Sequence, residues 1–385
     1  MTKVLQISNY YHPARGGIEQ TTRDMARAMF EAGDIEQKVI CFNEDASDGE
    51  LTCHKSETCH DYVDGIEVIR CGYELKVSSQ ALSLSFGKEL KNLMEEFDPD
   101  IVIFHYPNPF MARYLLQHKD KKFKLWIYWH LDITKQTFLK WFFHGQTKAL
   151  ISRADRVLGT SPVYLEKSDF ASYFGNKKTI QPSPIDERSL QITDEEIKLA
   201  SQIKKKHKVL GFFIGRHVPY KGLQYLIDAS KLLGDEEIHF IIAGTGKLTE
   251  ELKQRAKGDP KVEFVGKITD SQRRVYLYAC DIFCFPSITK NEAFGLALAE
   301  GMYFGKPAVT FTIPGSGVNY VSLDGITGIE CPNRDTKAYA EALRKLAKDK
   351  DLRLKYGQAA KERVLNNFSQ ERFKENVRKL LKNEG

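Results

Sequence analysis

The stretch Val209–Gly222 reads VLGFFIGRHVPYKG and begins the second half of the chain. Its first six residues form an apolar run of strand length, and a loop bounded by glycines follows at once. Further strand-like runs then alternate with longer segments, at His239–Ala243, Val262–Val265, Ile282–Phe285 and Ala308–Phe311. Such alternation predicts a mostly parallel sheet covered by helices on both faces.

The same alternation fills the first half of the chain. The strand-like runs are Val4–Ser8, Lys38–Phe42, Ile66–Cys71, Ile101–His105, Leu125–Trp129 and Val157–Gly159. The segments with helical spacing are Ile18–Ala32, Gln80–Phe97 and Thr137–Arg153. A turn-rich segment at Gln181–Asp186 separates the halves, so we predict two α/β domains, 1–187 and 188–365, followed by a C-terminal helix in 366–385.

Composition excludes several classes of protein. Hydrophobic residues make up 42% and charged residues 28% of 385 residues, which argues against disordered or fibrous chains. No apolar run approaches the ~20 residues that span a bilayer. The N-terminus runs directly into a strand pattern, so secretion is not expected. Seven cysteines favour a reducing cytoplasm over a disulfide framework, and the spacing within Cys53–His60 favours a solvated loop over a zinc site.

The net charge of +6 conceals an uneven distribution. Residues 1–109 carry −9, whereas 110–156 and 342–385 carry +7 each. All three tryptophans, Trp126, Trp129 and Trp141, lie in 110–156. A basic, aromatic segment suits an anionic membrane surface, although the strand tryptophans are better explained as core. No nucleic-acid-binding module accompanies the charge, so no nucleic-acid partner is expected.

Two glycine-containing loops are candidates for binding phosphate. Gly16 and Gly17 follow the first strand and open the first helix, where backbone N–H groups can approach an anion. Arg216 and Lys221 lie five residues apart in a loop that could neutralise a diphosphate. Simple turns with solvated cations are the alternative in both cases. The short motif at Gly244 is better explained as a plain turn.

Two carboxylates, Glu292 and Glu300, stand eight residues apart across an expected helix start. Eight helical residues rise at most about 12 Å, which is too far for paired carboxylates acting on one bond. The separation suits the two ends of one extended ligand, since a carboxylate can accept hydrogen bonds from a vicinal diol. The alternative is an ordinary surface glutamate and a charge that complements the helix dipole. His130 ends a strand, where it could be catalytic or a satisfied core histidine.

Taken in this order, the motifs resemble the retaining glycosyltransferases of the GT-B fold, in the large family 4 group. The resemblance covers nearly the whole chain and is strongest over 209–334. It implies two Rossmann-like domains facing across a cleft, with C-terminal helices that cross back to the first domain. Within the family, the sequence resembles bacterial mannosyltransferases of O-antigen or capsule assembly.

The resemblance implies a role for each motif. The catalytic residues would be His130, Arg216, Lys221 and Glu292. The donor-binding residues would be Gly16, Gly17, Arg216, Lys221, Gly244, Ile268, Glu292, Phe294, Gly295, Leu296 and Glu300. Glu300 would hold the ribose and Glu292 the transferred sugar. Ala293, Gly301 and Asn319 depart from the family's usual glycine, alanine and acidic residue.

The implied reaction moves a hexose from a nucleotide-sugar, GDP-mannose or a UDP-sugar, to a lipid-linked or growing glycan. No cofactor and no metal ion would be required, because cations and a helix N-terminus can stabilise the leaving diphosphate. Two Asp-x-Asp triplets, Asp98–Asp100 and Asp349–Asp351, are interpreted as solvated surface. An epimerase or phosphorylase of the same fold, or a non-catalytic nucleotide-sugar-binding protein, remains the alternative. We expect a cytoplasmic protein, peripheral on the inner membrane face through 110–156 and the C-terminal tail.

Overall fold

The computed structural model describes residues 1–14, 16–43, 53–54, 56–77, 80–132 and 137–382, with the backbone alone for 76–77, 80–82 and 137–142. The chain forms two compact units. Unit 1 comprises Met1–Pro182 and Phe373–Gly385, and unit 2 comprises Ser183–Arg372.

Unit 1 is built on one eight-stranded sheet. Its strands are β1 (Thr2–Ile7), β2 (Ile35–Phe42), β3 (Cys59–Val63), β4 (Ile66–Cys71), β7 (Ile101–Tyr106), β8 (Lys124–Trp129), β9 (Arg156–Gly159) and β10 (Lys178–Ile180), and a separate hairpin contains β5 (Leu75–Val77) and β6 (Gln80–Leu82). Its helices are α1 (Gly17–Ala32), α2 (Leu84–Asn92), α3 (Pro109–Leu116), α4 (Thr137–Arg153), α5 (Pro162–Glu166) and α6 (Ala171–Phe174).

The large sheet has the strand order β10-β9-β8-β7-β1-β2-β4-β3. All its pairings are parallel except that of β3 with β4. The order reverses direction at β1, whose neighbours are β2 and β7. The carboxyl ends of β1 and β7 therefore meet at a topological switch point, where open α/β sheets bind ligands.

Unit 2 contains a six-stranded sheet with the order β13-β12-β11-β14-β15-β16, parallel throughout. Its strands are β11 (Val209–Ile214), β12 (Ile238–Ala243), β13 (Val262–Gly266), β14 (Ile282–Phe285), β15 (Ala308–Phe311) and β16 (Gly328–Cys331). Its helices are α7 (Asp194–Lys204), α8 (Leu223–Leu232), α9 (Thr249–Arg255), α10 (Asp270–Ala279), α11 (Leu296–Tyr303), α12 (Val318–Val321), α13 (Thr336–Lys348) and α14 (Lys350–Asn367). This is the doubly wound dinucleotide-binding strand order, with its switch point between β11 and β14.

The last helix, α15 (Gln370–Lys382), crosses from unit 2 into unit 1. Its apolar side chains Phe373, Val377 and Leu380 are buried in one cluster with Val4 and Trp126. Burial of this apolar face against the sheet of unit 1 fixes the end of the chain there.

The structure corrects two sequence-based expectations. The predicted helix Gln80–Phe97 begins later, because Gln80–Leu82 is strand β6 and the Ser83 hydroxyl accepts a hydrogen bond from Phe86 N as the N-cap of α2. The expectation of reduced cysteines is wrong for one pair, since Cys53 and Cys59 form a disulfide with Cα atoms 6.6 Å apart. The Asn43 side-chain amide donates to the carbonyls of Cys53 and His54, which holds this segment at the carboxyl end of β2.

Candidate functional site

The loops that follow β11 and β14 lie at the switch point of unit 2. The first carries Lys221, and the second carries Glu292. Their side chains form an ion pair between Lys221 Nζ and Glu292 Oε2, with 10% and 13% of the side-chain surface exposed. The Ser287 hydroxyl lies 3.2 Å from the same carboxylate oxygen, and Lys221 Nζ lies 5.1 Å from the Phe285 ring centroid. The sequence predicted both charged residues but not that they pair.

Two glycines bring these loops together. Gly222 has φ +64°, and a Cβ there would lie 2.1 Å from the Pro286 carbonyl oxygen. Gly295 has φ +93° and is the N-cap of α11. Because the first N–H groups of a helix have no partner within it, the backbone at Leu296 begins a turn that favours an anion. Phe294 is buried beside it.

The loops after β11, β12 and β13 pack backbone against backbone. Gly244 N donates to Gly266 O at 2.7 Å, and Gly215 N donates to Ala243 O at 3.1 Å. Gly244 has φ +112°, and a Cβ there would lie 1.9 Å from Gly215 O. This loop packing accounts for Gly244, so its proposed contact with a nucleotide stays a prediction. Ile268 follows β13 and is partly buried.

Arg216, the other cation of this loop, is exposed. Its Nη2 donates to the Tyr220 hydroxyl at 3.3 Å. The two cations of the loop therefore differ in surroundings, because Lys221 is mostly buried against a carboxylate whereas Arg216 faces solvent. A diphosphate shared by both stays a prediction.

Glu300 forms an ion pair that the sequence analysis missed. Arg273 Nη1, on α10, donates to Glu300 Oε1 at 2.9 Å. Burial raises the pKa of the Glu300 carboxyl above its usual range, and Arg273 acts in the opposite direction. The two residues are 27 positions apart on different helices, so no sequence spacing indicated the pair.

In unit 1, the carboxyl ends of β1, β7 and β8 bring His130 into a hydrogen-bonded chain. His130 Nε2 lies 2.9 Å from His105 Nδ1, and His105 Nε2 lies 3.0 Å from Gln6 Oε1. The rings of Tyr128 and His130 stack with centroids 4.4 Å apart. His105 and Gln6 were not singled out from the sequence, although His105 ends a predicted strand.

Both histidines are held neutral by burial. Burial lowers the pKa of His130 to about 3. Burial, and secondarily His130, lowers the pKa of His105 well below its usual range. At neutral pH this chain therefore supplies uncharged imidazoles that donate or accept hydrogen bonds. The position of His130 fits both a satisfied core histidine and a hydrogen-bonding contact to a ligand.

The glycine pair Gly16–Gly17 opens α1, with Gly16 as an extended N-cap. Among the described residues, a Cβ on Gly17 would meet no atom within 4 Å. The segment before this pair is held by β4, because the buried Arg70 of that strand donates to the His12 carbonyl and to Asp61. The fold therefore explains the placement of this loop but gives no packing reason for a glycine at position 17. The adjoining Arg15 lies outside the described residues.

Both Asp-x-Asp triplets have structural partners. Asp100 accepts a hydrogen bond from Lys3 N at 2.8 Å, and Asp349 caps α14 by accepting one from Leu352 N. In the described ranges, no group of three or more His, Cys, Asp or Glu side chains is arranged to hold a metal ion.

Of the three tryptophans in 110–156, two lie in β8 and one lies in α4. Trp126 and Trp129 are fully buried, which agrees with their interpretation as strand core. Trp141 lies in α4, but its side chain is outside the described residues. In the part of the chain that the structure describes, no helix is both long and apolar enough to span a bilayer.

Two family models match the chain, one over each half. The model described as Glycosyltransferase Family 4 matches residues 15–186, and that described as Glycosyl transferases group 1 matches residues 194–363. The second match includes Lys221, Glu292, Arg273 and Glu300, the four residues that form the two ion pairs.

Two curated proteins are similar over most of the chain. The O-antigen chain mannosyltransferase C of Escherichia coli is 26% identical over 370 residues, covering 95% of this chain and 94% of the relative. The D-rhamnosyltransferase WbpZ of Pseudomonas aeruginosa is 30% identical over 288 residues, covering 73% and 72%.

Solved structures share the fold. Sucrose-phosphate synthase from Thermosynechococcus elongatus superposes with a TM-score of 0.78 at 18% identity, covering 100% of this chain and 99% of its own. Anabaena Alr3699/HepE in complex with UDP gives a TM-score of 0.75 at 18% identity, with both chains fully covered. These likenesses confirm the predicted α/β fold of GT-B type.

Proposed function

Because the chain belongs to the family 4, group 1 glycosyltransferases, we propose that it transfers a hexose from a nucleoside-diphospho-sugar to a glycan hydroxyl. GDP-mannose and a UDP-sugar are the proposed donors. The acceptor is a lipid-linked or growing chain of a cell-surface polysaccharide. The observation that carries the proposal is the Lys221–Glu292 ion pair at the switch point of unit 2, beside the N-terminus of α11.

The pair suits a donor that contains both an anion and a polyol. In our proposal the diphosphate replaces Glu292 as the partner of Lys221, so the ammonium exchanges one anion for another. The released carboxylate then accepts hydrogen bonds from hydroxyls of the transferred sugar. Arg216 is exposed and so could reach the diphosphate from the solvent side. Glu300 would accept hydrogen bonds from the ribose.

The proposed reaction retains the anomeric configuration. The bond from the anomeric carbon to the diphosphate oxygen breaks, and a bond to the acceptor oxygen forms on the same face. The acceptor proton passes to the departing diphosphate oxygen. Lys221, Arg216 and the N–H groups at the start of α11 would stabilise the charge that develops on the leaving group. In this proposal these groups meet the charge requirement without a metal ion.

The acceptor class is supported by the relatives. One is named an O-antigen chain mannosyltransferase and another a D-rhamnosyltransferase. Their names favour a hexose or deoxyhexose donor and a surface polysaccharide product for this chain. The roles of Gly16, Gly17 and His130 toward the donor stay predictions.

The donor site is tested by thermal unfolding with UDP, GDP, ADP and their sugars. A ligand that binds the folded state raises the unfolding midpoint by mass action. We expect one nucleoside diphosphate to give a shift that Arg216→Ala and Glu300→Ala each reduce. Lys247→Ala, which removes an exposed cation from the loop after β12, is the matched control and should leave the shift unchanged. Equal shifts in all variants would contradict the site.

Turnover separates the transferase from its alternatives. A transferase consumes the nucleotide-sugar when an acceptor glycan is present, with release of the nucleoside diphosphate. An epimerase would convert the donor without acceptor, and a binding protein would do neither. A covalent glycosyl-enzyme trapped during turnover would contradict same-face attack.

We also propose peripheral association with anionic lipid at the cytoplasmic face. Lys119, Lys122 and Lys124 are exposed near the start of β8, and Lys379 and Lys382 are exposed on α15. Each cation near such a surface adds about 1 kcal/mol. Flotation with anionic liposomes should show binding that salt weakens and that Lys140→Glu with Trp141→Ala reduces. Absence of salt-sensitive binding would contradict this part of the proposal.

A further inference from the structure

Arg273 and Glu300 form an ion pair in which only part of the carboxylate is used. Arg273 Nη1 donates to Oε1 at 2.9 Å, and the two side chains are 20% and 17% exposed. Within the described part of the chain, Oε2 accepts no hydrogen bond. Since an ionised carboxylate offers about four lone-pair sites, most of the accepting capacity of Glu300 remains for a ligand.

The frame around this pair is rigid on both helices. Thr269 and Gln272 form a capping box that fixes the start of α10, and Arg273 N donates to Thr269 O at 2.9 Å. On α11, a Cβ at Gly301 would lie 2.5 Å from Phe283 Cγ, so this turn packs closely on the sheet. The guanidinium therefore reaches Glu300 from a fixed helix start, next to the loop that carries Ile268.

We propose that Arg273 is a positioning residue for ribose specificity, which holds the Glu300 carboxylate so that its free oxygen faces the vicinal diol of the donor nucleotide. The inference rests on the proposed function, since it assigns Glu300 to the ribose. Arg273 touches the carboxylate and not the ribose itself. Its task is to remove the rotational freedom of a glutamate side chain before the nucleotide binds.

The charge of Arg273 also keeps the carboxylate in its accepting form. Burial raises the pKa of Glu300, Asp270 and Asp186 raise it further, and Arg273 lowers it. A protonated carboxyl would lose accepting capacity toward two hydroxyls. Without Arg273, the pKa of Glu300 rises further. On acidification, the variant therefore loses ribose recognition at a higher pH than the wild type does.

The experiment compares nucleotides that differ only in the diol. The affinities of UDP and GDP and of their 2′,3′-dideoxy analogues are measured by calorimetry for the wild type and for Arg273→Leu. We expect the wild type to prefer the ribonucleotide. In the variant this preference should fall by roughly tenfold, through weaker ribonucleotide binding with little change for the dideoxy analogue. Arg273→Lys should restore part of the preference.

Arg274→Leu is the matched control, because Arg274 is the next residue on α10 and pairs with Glu196 of α7 instead. It should leave the ribose preference intact even if it lowers stability. The inference is overturned if Arg273→Leu keeps the wild-type preference, or if it weakens both nucleotide classes equally. If the wild type binds neither UDP nor GDP, the proposed function fails as well, which is a distinct result.

Affinity measured between pH 8 and pH 5 gives a second readout. The loss of ribonucleotide binding on acidification should begin at a higher pH in Arg273→Leu than in the wild type. Identical pH profiles would show that Arg273 does not act on Glu300 and would overturn the inference.

Discussion

The two units have similar strand topologies, but their switch points carry chemically different side chains. In unit 2 the side chains at this edge are charged and paired, Lys221 with Glu292 and Arg273 with Glu300. In unit 1 the corresponding edge holds a neutral chain from His130 through His105 to Gln6. A parallel sheet decides where side chains converge, and the residues at the strand ends decide which chemistry is presented.

The difference also appears in the glycines. Gly222 of unit 2 is required by a positive φ and by the nearby Pro286 carbonyl, whereas a Cβ on Gly17 of unit 1 would meet no atom of the described residues within 4 Å. A glycine that packing requires says little about a ligand. A glycine that packing does not require is a candidate for the close approach of a ligand to the backbone.

The largest expected effect follows removal of the buried cation of unit 2. Lys221→Met should lower turnover by about 10²–10³-fold, the usual cost of losing a donor that stabilises a leaving anion. It should also destabilise unit 2 by about 1–3 kcal/mol, because the largely covered Glu292 carboxylate would lose its charged partner. Turnover and chemical denaturation measure the two effects.

The double variant Lys221→Met with Glu292→Leu separates these effects. Stability should return toward that of the wild type, because no buried charge is left unpaired. Turnover should stay low, because the leaving group still lacks its cation. If turnover recovers along with stability, the pair serves the fold and not the reaction.

The glycine comparison predicts the next largest effect. Gly222→Ala should lower stability by at least about 2 kcal/mol, because alanine is disfavoured at a positive φ and its Cβ would meet Pro286 O. Gly17→Ala should change stability by less than about 0.5 kcal/mol. Denaturant midpoints test both, and equal losses would remove the distinction between the two loops.

The effect in unit 1 is the smallest near neutral pH and grows as the pH falls. Burial lowers the pKa of His130 from 6.5 to about 3, so the unfolded chain binds a proton between these values that the folded chain does not. Stability from this residue is complete above pH 6.5 and declines as the pH falls toward 3. His130→Asn should show a shallower decline in denaturation measured from pH 8 to pH 4. Parallel curves would mean that His130 titrates normally in the folded protein.

Much of the fold was readable from local sequence. The apolar run Val209–Ile214 was predicted with the bounds of β11, because a strand buried on both faces needs a continuous apolar run. Lys221 was identified from the loop after a strand, and Glu292 and Glu300 from their eight-residue spacing across an expected helix start. The Cys53–Cys59 disulfide was missed, because the expectation rested on the number of cysteines. It did not consider that the folded chain brings Cys53 to Cys59 at the start of β3.

The sequence by itself determined the α/β class, the family and the residue types available for chemistry, since these depend on local periodicity and short motifs. Only the tertiary structure decided the partners: Lys221 with Glu292, Arg273 with Glu300, and His130 with His105. Partners of this kind lie 25 to 71 positions apart and meet only because strand order brings separate loops together. Burial at those meeting points then sets the charge of each group, which no sequence spacing specifies.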